Sequence, residues 1–252
     1  MKNKKSLGQN WLKDRMILDD IANFAAEDAK TDFCLEIGPG LGTLTSALLR
    51  RFDEVLAVEF DENLAKNLPK SFPGKNLTVK NEDFLKFDLG SIKKPYVVAA
   101  NIPYYITSPI IEKLLHAENL PERIVLLIQK EVAERIAAEK GRNSLLSLMV
   151  QNRASVTLGP VVGREFFTPP PKVDSEIIIL NPYESPKVSE KALDLARIGF
   201  KMPRKKLTAN LSTSGLISRE KASEALKTLN LDENARAESL SLEDWQKLTE
   251  II

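Results

Sequence analysis

The 252-residue chain has one cysteine and one histidine. A single thiol, Cys34, excludes an internal disulfide and fits a reducing compartment such as the cytoplasm. Inside the apolar run "FCLEI" it reads as a small buried hydrophobe. The one histidine, His116, falls on a helical pattern away from any strand end and is given no catalytic role. No run approaches the ~18 apolar residues of a membrane span, so no membrane partner is expected. The start, "MKNKKSLGQNWL", is basic but has no apolar stretch, so it is not expected to act as a secretory signal. Internal repeats and low-complexity segments are also missing. Net charge is nearly missing, at +1.

What is present is ordinary for a globular protein: 43% hydrophobic and 28% charged residues, enough for one large domain or a large one with a small one. Charge distribution says more than its total. Lys2, Lys4, Lys5, Lys13 and Arg15 crowd the start, opposed only by Asp14, and "ARIGFKMPRKKLTANL" carries five basic residues and no acid. Two such patches fit an electrostatic footprint for phosphates.

From Phe33 to about Lys130, short β-rich runs alternate with helical patterns: "FCLEIG" then "TLTSALLRRF", "EVLAVEF" then "ENLAKNLPKSF", "LTVKN", "YVVAAN" then "SPIIEKLLHA", and "RIVLLIQ". That alternation predicts an α/β, Rossmann-like parallel sheet with helices on both faces. "SVTLGPV" and "SEIIILNP" read as a closing pair of strands. Beyond Pro182 and Pro186 only helical periodicity appears. The sequence therefore predicts a domain over residues 1–184 and a small all-helical domain over 185–252.

"LEIGPGLGTLT" places Gly38, Gly40 and Gly42 where a buried strand turns into a helix, allowing close approach of backbone to a ligand. Glu59 ends the next strand about 20 residues downstream, where an acid can accept hydrogen bonds from both hydroxyls of a ribose. The glycine spacing is wrong for a pyrophosphate cradle, and no Walker lysine follows. Glu36 ahead of the glycines suits a positively charged cofactor, which points to S-adenosyl-L-methionine. Asp83 of "NEDFLKFDL", after the third strand, is placed to accept an adenine amino group.

With "LGQNWL", "EIGPGLGTLT", "AVEFD", "NEDFL", "NIPYYITSPII", "QKEVAERI", "FFTPPPKVDS" and "GFKMPRKKLTANL" in this order, the chain resembles the ribosomal RNA small-subunit adenine N6,N6-dimethyltransferases over nearly its whole length. The resemblance implies a seven-stranded class I methyltransferase sheet, its last strand antiparallel, and a C-terminal helical domain for rRNA recognition. It implies that Asn10 and Leu12 close over the cofactor, Gly38 approaches its methionine part, Glu59 binds the ribose, Asp83 the adenine, and Asn101 lines the methyl-transfer end. It further implies modification of two adjacent adenosines in the 3′-terminal stem-loop of small-subunit rRNA, a pre-30S-type particle as partner, a role in subunit biogenesis, and a monomer. The alternatives are a resistance-type enzyme acting on large-subunit rRNA, or a methyltransferase-derived assembly or transcription factor. The chain departs from the family pattern at Asn143 and Leu145, and carries lysines in "PRKK".

On this reading "NIPYYITSPII" holds a flat base. The exocyclic N6 of adenine is a poor nucleophile because its lone pair is delocalised, so the base must leave its stack and be held in line. Asn101 and the Ile102 carbonyl accept the N6 hydrogens, Pro103 stiffens the turn, Tyr104 stacks on one face and Phe167 closes on the other. No metal is needed. Tyr105 is expected to pack inward, Trp11 to pack the N-terminal segment, and Trp245 to sit in the core of the helical tail. Arg204, Lys205 and Lys206 are expected to bind RNA phosphates.

Overall fold

The computed structural model describes residues 10–139 and 141–252. Lys2, Lys4 and Lys5 lie outside the described residues. The chain divides into two compact units: one runs to Ala133 and resumes over Ser155–Pro182, the other comprises Glu134–Ala154 and Tyr183–Ile252. The segment 134–154, which the sequence assigns to the first domain, thus groups with the second unit.

The first unit begins with a two-residue strand, β1 (Trp11–Leu12), and α1 (Arg15–Ala26), whose N-terminus is capped by Asp14 accepting from the Ile17 N–H. Then come β2 (Phe33–Ile37), α2 (Thr43–Leu48), β3 (Glu54–Glu59), α3 (Glu62–Asn67), β4 (Leu77–Asn81), β5 (Val97–Asn101), α4 (Thr107–Leu115) and β6 (Arg123–Gln129). α5 (Lys130–Ile136) follows, its last three residues already in the second unit, to which α6 (Leu145–Arg153) belongs; the first unit resumes with β7 (Ala154–Val162), β8 (Phe167–Thr168) and β9 (Ser175–Pro182).

Seven strands form one sheet in the order β4-β3-β2-β5-β6-β9-β7. β2, β3, β4, β5 and β6 pair in parallel, and β9 runs antiparallel to β6. The expected Rossmann-like sheet with its final strand antiparallel is therefore present. Every residue of β2, and Ile124 to Ile128 of β6, is buried. Continuous apolar runs of this kind are what a parallel sheet covered on both faces demands. Strand order reverses between β2 and β5, which creates a crevice at their carboxyl ends. β1 and β8 form a separate ribbon, with Trp11 opposite Thr168 and Leu12 opposite Phe167. No periodic pattern in the sequence marks these two-residue strands.

The second unit adds α7 (Glu190–Gly199), α8 (Leu207–Thr213), α9 (Arg219–Thr228) and α10 (Leu242–Ile251). Its core centres on Trp245, which is fully buried as expected. Gly199 leaves room for that ring: a Cβ there would lie 2.4 Å from it. Asn143, one of the departures from the family pattern, is buried in this unit and donates from its side chain to the Leu240 carbonyl. Among the described residues no helix is long and apolar enough to cross a membrane.

Candidate active site

The carboxyl ends of β2, β3 and β5 open onto a cavity of about 380 Å³, all of it within the first unit. The chain leaves β2 through Gly38, Gly40 and Gly42, all at positive φ. At Gly42, where φ is +81°, a Cβ would also sit 2.6 Å from the Leu68 side chain and 3.0 Å from the Phe72 ring. Gly38 lines the cavity, and a Cβ there would meet nothing within 4 Å. Its backbone therefore faces open space that a ligand can enter.

Glu59 ties this turn to the end of β3. One carboxylate oxygen accepts from the Gly40 N–H at 3.0 Å and the other from the Asp61 N–H at 2.8 Å. A carboxylate offers about four acceptor sites, so two remain for a ligand. Burial pushes its pKa up, against the pull of those backbone donors. Asn81 at the end of β4 donates to the carbonyls of Glu59 and Phe60, bracing the same strand end. Asp83 lines the cavity, with one oxygen accepting from the Leu85 N–H at 3.0 Å, and Lys113 of α4 holds the Leu85 carbonyl. Phe60, 61% exposed, also lines the cavity and offers a flat apolar face. The sequence reading missed Phe60 and Asn81; the signal available was their position at strand ends beside Glu59.

Glu36 also lines the cavity and is almost fully buried, accepting from the Thr45 hydroxyl at 2.6 Å. Burial pushes its pKa up to about 8; the Thr45 hydrogen bond opposes the rise and the nearby Glu59 charge adds to it. A carboxyl raised from 4.5 in this way adds stability that is fully present below about pH 4.5 and lost as pH rises through about 8. Glu36→Gln, which keeps an acceptor for Thr45, removes that dependence. The melting temperature of the ligand-free variant relative to wild type should therefore climb between pH 5 and pH 8. Parallel melting curves across that window would contradict the assignment.

At the end of β5, the Asn101 side-chain amide donates to the Asn10 carbonyl at 3.2 Å. That bond orients the amide and leaves its oxygen as an acceptor at the cavity, which Asn10, Leu12, Asn101, Ile102, Pro103 and Tyr104 all line. Pro103 holds an extended backbone (φ −60°, ψ 135°) into the short 3-10 turn that leads to α4. The Tyr104 phenol pairs with the Ser175 hydroxyl at 2.8 Å, and burial raises its pKa.

Two expectations are corrected. Phe167 does not line the cavity: it is 3% exposed and packs in the sheet's hydrophobic core, while its neighbour Phe166 is 40% exposed. Phe166 ends the 3-10 turn Arg164–Phe166, whereas Phe167 opens β8, where pairing with Leu12 turns its ring inward. Tyr105 does not pack inward but is 65% exposed at the cavity. Trp11 also lines the cavity, its indole nitrogen 3.3 Å from where a Gly40 Cβ would be.

Arg204, Lys205 and Lys206 lie in the second unit, exposed, in the turn before α8. Lys206 donates to the Asn234 side chain at 2.5 Å. Among the described residues no group of His, Cys, Asp and Glu is arranged to hold a metal ion.

Residues 1–252 match the family described as Ribosomal RNA adenine dimethylase. The chain is 41% identical to Ribosomal RNA small subunit methyltransferase A of Nostoc sp., over 99% of this chain and 97% of that protein. It is likewise 41% identical to the protein of that name from Bacillus pumilus, over 99% and 91%. Among solved structures it is similar to a dimethyladenosine transferase from Plasmodium falciparum (33% identity, TM-score 0.80, 94% and 95% of the two chains). It is also similar to the 23S rRNA methyltransferase ErmE (31% identity, TM-score 0.77, 96% and 99%).

Proposed function

The chain belongs to the ribosomal RNA adenine dimethylase family, and on that premise we propose that it methylates N6 of two adjacent adenosines in the 3′-terminal stem-loop of small-subunit rRNA. It is an S-adenosyl-L-methionine-dependent rRNA adenine dimethyltransferase, and rRNA is its substrate. The finer reading adds a pre-30S-type particle as the physical substrate, a part in subunit biogenesis, a cytoplasmic setting and a monomeric enzyme. The observation that carries the reading of N6 methylation is the Asn101 amide, anchored through its nitrogen on Asn10 with its oxygen left as an acceptor at the cavity.

The cavity suits the cofactor: Gly38 presents open backbone, Glu59 retains acceptor sites, and the Glu36 carboxyl lines the cavity beside the turn. Glu59 would hold the ribose hydroxyls, Asp83 the adenine amino group, Gly38 the methionine part, and Asn10 and Leu12 would close over it. When bound, S-adenosyl-L-methionine supplies an electrophilic methyl on a sulfonium.

The chain's own residues make N6 of the target base a competent nucleophile. The Asn101 oxygen and the Ile102 carbonyl each accept one N6 hydrogen, drawing the nitrogen toward tetrahedral geometry and freeing its lone pair from the ring. Tyr104 offers a face for the base. Stacking of this kind contributes about 1–3 kcal/mol per base, comparable to the few kcal/mol lost when the base leaves its stack. The nitrogen releases its proton after the methyl is added, so no strong general base is required.

Likeness to a 23S enzyme makes large-subunit rRNA the second reading. The higher identity to proteins named for the small subunit favours the first. Primer extension separates them, because a dimethylated N6 blocks base pairing. Incubating both rRNAs with the protein and S-adenosyl-L-methionine should produce two adjacent stops near the small-subunit 3′ end. Stops confined to large-subunit rRNA would overturn the proposal.

The helical unit is proposed to grip rRNA phosphates through Arg204, Lys205 and Lys206. Replacing all three by Ala should weaken RNA binding irrespective of base identity. The slope of log affinity against log salt should flatten by up to ~0.7–0.9 per lost contact. The Lys206 share should be the smallest, because its ammonium is engaged by Asn234. An unchanged salt slope would assign these side chains to solvation of the surface.

A further inference from the structure

Tyr104 is held at both ends by buried hydroxyls that come from different elements. The Thr107 hydroxyl, at the start of α4, donates to the Tyr104 carbonyl at 3.2 Å. The Ser175 hydroxyl, at the start of β9, pairs with the Tyr104 phenol at 2.8 Å. Thr107 is 3% exposed and Ser175 is fully buried. Ser175 is itself fixed, opposite Gln129 in the β6–β9 ladder. A buried serine at the head of a strand gains little from its hydroxyl unless that hydroxyl has a partner, and the partner here is a side chain lining the cavity.

We infer that Ser175 is a positioning residue for methyl transfer: it locks the plane of the Tyr104 ring, with Thr107 fixing the backbone beneath, so that the target adenine meets a preset face. The inference rests on the function proposed above. A free tyrosine ring rotates about two side-chain bonds, and ordering it only when the base arrives would cost binding free energy. A ring whose far end is tied to the sheet is ordered beforehand. The tie also bears on in-line geometry, because small misplacements of reacting atoms are costly in rate. Asp174 is the charged group that faces the phenol, and its carboxylate accepts from the Arg164 N–H, which keeps it engaged.

The test is a double-mutant cycle on single-turnover methyl transfer to small-subunit rRNA, using wild type, Tyr104→Phe, Ser175→Ala and the double variant. Each single change should slow transfer roughly 2–10-fold, what one neutral hydrogen bond is worth. The double variant should be no slower than the slower single one, because both changes remove the same tie. S-adenosyl-L-methionine affinity should be unchanged throughout, which a general loosening of the fold would not allow. Tyr104→Phe keeps the ring and deletes only the hydroxyl, so it tests the tie even if Ser175→Ala folds poorly. Wild-type rates in Tyr104→Phe, or a double variant whose loss is the product of the two single losses, would overturn the inference while leaving the enzyme's function standing. An inactive wild type would instead overturn the function, and this inference with it.

Discussion

Asn101→Ala should slow single-turnover methyl transfer by at least ~100-fold, the low end for removing a group that acts in the transition state. RNA affinity should hardly change. On the proposed mechanism the Asn101 oxygen acts on the one atom whose electronic state must change, whereas most RNA affinity comes from phosphate contacts elsewhere. Asn101 is held by the Asn10 carbonyl, so the amide oxygen is set in place before substrate arrives. Asn101→Asp is the sharper variant: its carboxylate has no N–H to donate to Asn10 and loses that anchor. A single-turnover rate in Asn101→Ala equal to wild type would remove Asn101 from the chemistry.

Glu59→Ala should weaken S-adenosyl-L-methionine binding about 10- to 150-fold, or roughly 1.5–3 kcal/mol, the range for hydrogen bonds to a charged group. Two effects add here. On the proposed cofactor contacts the ribose hydroxyls lose their acceptor, and the N–H groups of Gly40 and Asp61 lose theirs. The second effect loosens the glycine turn itself, so the variant should also melt at a lower temperature. Glu59→Gln keeps one acceptor oxygen and should fall between wild type and Ala on both measures. Calorimetry that finds the Ala variant binding as tightly as wild type would separate Glu59 from the cofactor.

The sheet was legible because its strands are so strongly apolar. "FCLEI" and "RIVLLIQ" are short apolar runs, the first closed by a glycine turn and the second rich in β-branched residues, which argues against buried helices, and they became β2 and β6. The glycine turn and Glu59 were legible because their spacing fixes two neighbouring strand ends. Adjacent aromatics were not. "FF" and "YY" each hold one exposed ring, and which one faces inward depends on a local register that nothing nearby marks. Phe167 is set by the pairing of β8 with β1, a contact between two-residue strands far apart in sequence, and Phe166 by the 3-10 turn before it. The grouping of α6 with the second unit was not legible for a related reason. "LLSLMVQNR" has no apolar stripe on one side, so it carries no signal of which core it joins. Lys206 reads as a free cation until the fold brings Asn234 to it.

The most direct test is to incubate small-subunit and large-subunit rRNA separately with the protein and S-adenosyl-L-methionine carrying an isotopically labelled methyl. The RNA is then digested to nucleosides for mass spectrometry. The account predicts labelled N6,N6-dimethyladenosine from the small-subunit RNA, two per molecule, and its loss with Asn101→Ala. Label found only in the large-subunit RNA, on a base other than adenine, or undiminished in the Asn101 variant would contradict it.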